Sequence, residues 1–165
     1  MSRFFCAATA LAVVLLANPT SAQIVPYKDI AGYKVARVES QNVCFAAAEF
    51  GSDEGHQMLY SYYQTSSGQR WHVAGYASEA RLAGDEVAVR VTIDGTVTLE
   101  RATETRQGDF MLPFEALPEI QAHEALVQTG ETMEISVNDG DDTLRVPLSD
   151  YRAALGAIAA CLNSL

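Results

Sequence analysis

The stretch from Glu86 to Ile93 alternates without a break: Val87, Val89, Val91 and Ile93 are separated by Ala88, Arg90 and Thr92. A period of two puts all four β-branched residues on one face of an extended strand and the polar ones on the other. Asp94-Gly95 follows, and then a second extended run, Val97–Arg101. A two-residue Asp-Gly link between such strands specifies a hairpin, because its turn requires positive φ at both positions. This hairpin commits the chain to a sheet with one buried face, which needs a second layer to cover it.

The rest of the chain supplies that layer. Strands are predicted over Tyr33–Glu39, Val43–Phe50, Gln57–Gln64 and Arg70–Tyr76, with turns at Ser40-Gln41-Asn42, Gly51–Gly55 and Thr65–Gly68. Ala77–Asp85 reads as a longer connection. Asp109–Glu115 is predicted as a short strand that Pro113 confines to an edge or a strand end. Leu117–Thr129 changes to a helical pattern, with Pro118 in its first turn and Gly130 after its end. Met133, Ile135 and Val137 form another alternating strand, and Asn138–Asp142 turns the chain into Leu144–Val146. The last segment is a helix, capped by Ser149 or Asp150, with an apolar stripe at Tyr151, Leu155, Ile158, Leu162 and Leu165 and Cys161 at its rim. About eight short strands joined mainly as hairpins indicate a mainly β (α+β) chain. The expected architecture is an antiparallel β-sandwich or curved half-barrel, with a short helix near 117–129 and a C-terminal helix packed on the sheet.

The first 22 positions read as a cleaved signal peptide. Arg3 precedes an apolar run from Phe4 to Ala17, then the breaker Asn18-Pro19 and the small residues Thr20-Ser21-Ala22. That run falls short of the roughly 20 apolar residues of a membrane span. Residues 23–165 are then expected to form a single β-rich globular domain, exported and without a transmembrane segment. Cys6 leaves with the leader, so Cys44 and Cys161 remain. In an oxidising compartment one disulfide between them is the simplest outcome. Closing a loop of this length stabilises a fold by about 4–5 kcal/mol in the chain-entropy model. Two free thiols, or a nucleophilic Cys161, remain the alternatives.

Composition excludes several functions. The formal net charge is −10, and removal of Arg3 makes it more negative still. Nucleic acid and anionic lipid surfaces require basic patches, so neither is an expected partner. His56, His72 and His123 have no paired ligand spacing, which leaves no metal site by motif. The oxygen-rich turn Asn138–Asp142 invites weak calcium binding but lacks the twelve-residue loop ending in Glu. There is no Gly-x-Ser-x-Gly elbow, P-loop or dinucleotide fingerprint, so no cofactor and no catalytic residue is assigned. The aromatic run around Tyr60 and Tyr62, with Trp71 and Tyr76 on the next strand, could fill the sheet's core or form an exposed recognition surface.

Three segments, Val43-Cys44-Phe45-Ala46, "EALVQTGETMEISV" (124–137) and "LRVPLSDYRAALGAIAACL" (144–162), together resemble the invasion-associated locus B family of bacterial envelope proteins. The resemblance covers mainly the last third of the chain and is one of residue types. It lacks a mid-chain cysteine pair and a glycine before the last helix. It implies a periplasmic or secreted, non-enzymatic accessory protein of a Gram-negative envelope, with an envelope or secreted protein as partner. It transfers no site residue. An exported inhibitor of a hydrolase, of the lysozyme- or protease-inhibitor kind, is the alternative, with Ala77–Asp85 as the loop that would enter the target.

Overall fold

The computed structural model describes residues 23–76, 86–105, 109–140 and 142–165. Ten strands and two α-helices lie among them, and every strand pair is antiparallel. One sheet has six strands in the order β1 (Ile24–Ile30), β2 (Tyr33–Val38), β3 (Val43–Gly51), β4 (Gln57–Thr65), β5 (Arg70–Tyr76) and β8 (Asp109–Pro113). The other has four, in the order β10 (Asp142–Pro147), β9 (Thr132–Val137), β6 (Glu86–Ile93) and β7 (Thr96–Glu104). The helices are α1 (Leu117–Thr129) and α2 (Leu148–Leu162). This is the expected β-sandwich with a C-terminal helix.

The predicted hairpin is β6–β7. Asp94 and Gly95 sit at φ 47° and 79°, the two positive values its turn demands. The Asp94 carboxylate also accepts the backbone N–H groups of Glu131 and Thr132, each at 3.0 Å, which pins the turn to the link between α1 and β9. Val87, Val89, Val91 and Ile93 are all buried. They join Met133, Ile135, Val137, Leu144 and Val146 on the inner face of the small sheet.

α2 packs on β1, β2 and β3. Its buried face is Leu148, Tyr151, Ala154, Ala157, Ile158 and Cys161. The stripe is therefore rotated from the expected one. Leu155 and Leu162 are only half-buried, and Cys161 lies at its centre, fully buried, rather than at its rim. Alanines at 154 and 157 let the helix approach the sheet closely enough for Cys161 to reach Cys44, which is also fully buried. The two form a disulfide, with Cα atoms 6.2 Å apart, across 117 residues of sequence. It joins the last element of the fold to the third strand of the large sheet.

Three further expectations are corrected. Pro147, not Ser149 or Asp150, precedes α2, and no side chain caps its N-terminus. Of the apolar positions Leu117, Ile120, Ala125, Leu126 and Val127 that fit the helical pattern of α1, Val127 is fully buried while Leu117 is 64% exposed, and His123 turns inward beside Val127. β1 had no sequence signal: it is an edge strand with a register shift between Pro26 and Lys28 and mostly exposed residues, so no apolar periodicity marks it. Residues 1–22, the expected leader, lie outside the described residues, as does the whole of the connection 77–85.

Candidate functional site

Three places hold polar or aromatic groups in an arrangement that could carry function. The first is a clamp between the sheets. The β3–β4 loop reaches β10 through the backbone pairs Ser52–Leu144 and Asp53–Thr143. Arg145 on β10 returns an ion pair to Asp53. Inside the clamp His56 Nδ1 lies 3.0 Å from Asp142 Oδ2, and Asp142 is only 3% exposed. Burial alone would raise the Asp142 carboxyl, but hydrogen bonds from Ser52, His56, Tyr76 and the Glu54 backbone outweigh it and hold it below the usual carboxylate range. Ser, His and Asp thus meet here, but not in the order of a catalytic triad. Ser52 bonds the same carboxylate that His56 bonds, and its Oγ also accepts the His56 backbone N–H at 3.2 Å. A triad needs the serine on the far ring nitrogen, where the imidazole can take its proton. The group instead fastens one sheet to the other. Asp142→Asn is expected to lower the unfolding free energy by about 1–3 kcal/mol, measured by urea denaturation, because a buried acceptor loses its charge while its donors stay in place.

This clamp also accounts for much of the oxygen-rich turn. Asp142 points inward to His56, and the Asn138 side-chain oxygen accepts the Ala88 N–H at 3.2 Å. Asp141 lies outside the described residues. Among the described residues no cluster of three or more His, Cys, Asp or Glu side chains could hold a metal ion.

The second place is a buried tyrosine–histidine cluster. Tyr60, Tyr62 and His72 project from the inner face of the large sheet, Tyr151 from α2 and His123 from α1, and all five are buried. His72 Nδ1 is 2.8 Å from the Tyr60 hydroxyl, and His123 Nδ1 is 3.1 Å from Thr98 Oγ1. The two imidazole rings meet edge to face with centroids 5.1 Å apart. Neither Nε2 has a hydrogen-bond partner. Burial pushes the His123 pKa down to about 4. Burial, reinforced by His123, holds His72 well below its ordinary value. Burial also drives Tyr60 and Tyr151 well above the usual phenol range and Tyr62 to about 12. These are neutral groups closed off from solvent, so the cluster fills the core and reaches no substrate.

That arrangement corrects the expected recognition surface. Tyr60, Tyr62 and Tyr76 are 0%, 2% and 7% exposed. They share the inner face because even-numbered positions of β4 and β5 all point inward. Trp71 is on the opposite face, away from the three tyrosines it was grouped with. Sequence spacing showed which residues share a face but not which face is covered.

The third place is that opposite, outer face of the large sheet. Phe45, Tyr63 and Trp71 stand side by side across β3, β4 and β5. Phe45 stacks on Tyr63 with centroids 4.9 Å apart, and Tyr63 on Trp71 at 5.2 Å with planes 5° apart. Leu59 and Met111, on the same face, are 48% and 51% exposed. Phe45 was not singled out by sequence, while Tyr63 belongs to the aromatic run, on the face opposite Tyr60 and Tyr62. The signal was available in β3, which is apolar at odd and even positions alike from Val43 to Ala48.

Comparison with known proteins agrees with the architecture. No protein-family model and no curated protein matches the chain. Among solved structures, the crystal structure of invasion associated protein b from Bartonella henselae superposes with a TM-score of 0.57. The match covers 82% of this chain and 97% of that one, at 13% sequence identity. At that identity the likeness is one of fold: this chain shares the fold of an invasion-associated protein B, as the resemblance of its C-terminal third implied.

Proposed function

We propose that this protein is an exported, non-enzymatic accessory protein of the bacterial envelope, acting by binding another envelope or secreted protein. The observation that carries this reading is the buried Cys44–Cys161 disulfide. A bridge of this kind belongs in an oxidising compartment, consistent with the leader-like order of residues 1–22. The fold shared with an invasion-associated protein adds support. So does the chemistry of the described residues: their one Ser–His–Asp group is tied up as a clamp, and their buried histidines are sealed. Among them no helix is long and apolar enough to cross a membrane. The inhibitor alternative rests on Ala77–Asp85 and gains no observation from the described residues.

Cell fractionation with thiol trapping tests the reading. Expressed from its own start codon in a Gram-negative host, the protein is expected in the periplasm or medium, shortened by the leader and without alkylatable thiols. A full-length, reduced, cytoplasmic product would overturn it.

A further inference from the structure

The two sheets treat their outer faces differently. On the small sheet the outer positions carry charge and pair it: Arg90 with Glu100, and Arg145 with Glu134. That is the ordinary solvated face of an antiparallel sheet. On the large sheet the middle of the outer face of β3, β4, β5 and β8 carries Phe45, Ala47, Leu59, Tyr63, Trp71, Val73, Met111 and Pro113, interrupted by Ser61 and Gly75, with Glu49, Gln57, Thr65 and Asp109 toward its ends. Strands that are apolar on both faces are characteristic of sheets covered on both sides, and contiguous exposed apolar surface of this kind marks interaction sites.

The charge around this face is one-sided. An open groove of about 650 Å³ runs along its β8 edge, lined by Val73, Met111 and Pro113 and flanked by Glu104 and Asp109. The Asp109 carboxylate lies back over Gly75, where a Cβ would overlap it. Partial burial there raises its pKa above the ordinary value. Among the described residues no hydrogen-bond donor or cation reaches the carboxylates of Glu49, Glu104 or Asp109. Among the described residues the arginines are engaged elsewhere, in the ion pairs of Arg37, Arg70, Arg90, Arg101 and Arg145 and in the bonds from Arg152 to the last carbonyls of α1. Lys34, on the outer face of β2, sits directly across from Asp29.

We propose that the outer face of β3, β4, β5 and β8 docks a basic, apolar-rich segment of a partner protein. The segment's apolar side chains seat on Leu59, Trp71, Val73 and Met111, and its lysines or arginines reach Asp109, Glu104 and Glu49. This deepens the binding reading above and rests on it. Charge decides against a second copy of the chain, which among the described residues of this face would set these acids against acids, with Lys34 to offset them. Ring geometry weighs against a glycan: Tyr63 is sandwiched between Phe45 and Trp71, so both of its faces, and one face of each neighbour, are already used.

Trp71 is the only tryptophan of the chain, so its fluorescence reports this face directly. The oxidised protein is titrated with short synthetic peptides of alternating leucine and lysine, leucine and glutamate, or serine and lysine. A saturable emission change is expected with the leucine–lysine peptide alone, weakening as salt rises. Asp109→Asn with Glu49→Gln, and separately Leu59→Ser with Met111→Ser, are expected to weaken binding at least about tenfold. Glu100→Gln, on the other sheet, should leave it unchanged, with circular dichroism confirming the fold of each variant. The proposal is overturned if no peptide binds, if all three bind alike, or if both outer-face pairs bind as tightly as the parent. A dimer in sedimentation equilibrium that buries Trp71 overturns it in favour of self-association, and an emission change with peptidoglycan fragments alone overturns it in favour of a glycan. Periplasmic location, read separately by fractionation, shows whether the docking proposal or the broader reading has failed.

Discussion

Replacing Cys44 and Cys161 together by alanine is expected to lower the unfolding free energy by about 4–5 kcal/mol, the largest loss any small change to this chain should cause. The bridge closes a loop of 117 residues, and in the chain-entropy model its contribution grows with loop length by restricting the unfolded chain. Such a loss is a large fraction of the 5–15 kcal/mol that holds an ordinary domain folded. Both sulfurs are buried between α2 and β3, so the bridge also holds the C-terminal helix on the sheet. Denaturant titration of the parent and the double variant measures the difference. A loss under about 1 kcal/mol would mean that the packing of Tyr151, Ala154 and Ile158 holds α2 without the bridge. Hydrogen exchange should place the weakening first in α2, the element released.

Acid should destabilise the fold through His72 and His123. Both are buried and neutral in the folded chain, with pKa values depressed by burial, and both charge near pH 6.5 once unfolded. Between those limits the unfolded state binds more protons than the folded one, so stability falls as pH falls. The contribution is intact above about pH 6.5 and is lost as pH drops toward the folded values, about 4 for His123. His123 alone accounts for about 3 kcal/mol over that window. Chemical denaturation at pH 7.5, 5.5 and 4.5 measures the slope, conditions that cover most of the window. His123→Gln should flatten it, whatever its effect at neutral pH, since the glutamine cannot charge. An unchanged slope in that variant would assign the acid sensitivity to His72 or to the carboxylates instead.

Most elements were legible because their signals are local. The alternation of Val87 to Ile93 and the Asp94-Gly95 turn needed only near neighbours, as did Pro118 and Gly130 at the ends of α1. The sequence also separated Tyr60 and Tyr62 from Tyr63, because side-chain parity along a strand is fixed by the pleat. It did not identify the buried side. That depends on β6 and β9 of the small sheet and on α2, brought opposite by pairings remote in sequence, β5 with β8 and β6 with β9. The same remoteness hid the His56–Asp142 clamp, whose partners are 86 residues apart and look like two unrelated polar loops.

The sequence by itself determined the extended and helical segments other than β1, the turns between them and the two cysteines left to pair, because periodicity, turn chemistry and cysteine count act over short spans or need only counting. Tertiary structure alone decided that Tyr60 and Tyr62 are core while Trp71 is on the opposite face, that Cys161 sits at the centre of its helix face, and that the large sheet carries an apolar outer side with no described residue layered over it. Burial is a property of what packs against a residue, and that neighbour is chosen by the closing of the whole sandwich rather than by the residues beside it in the chain.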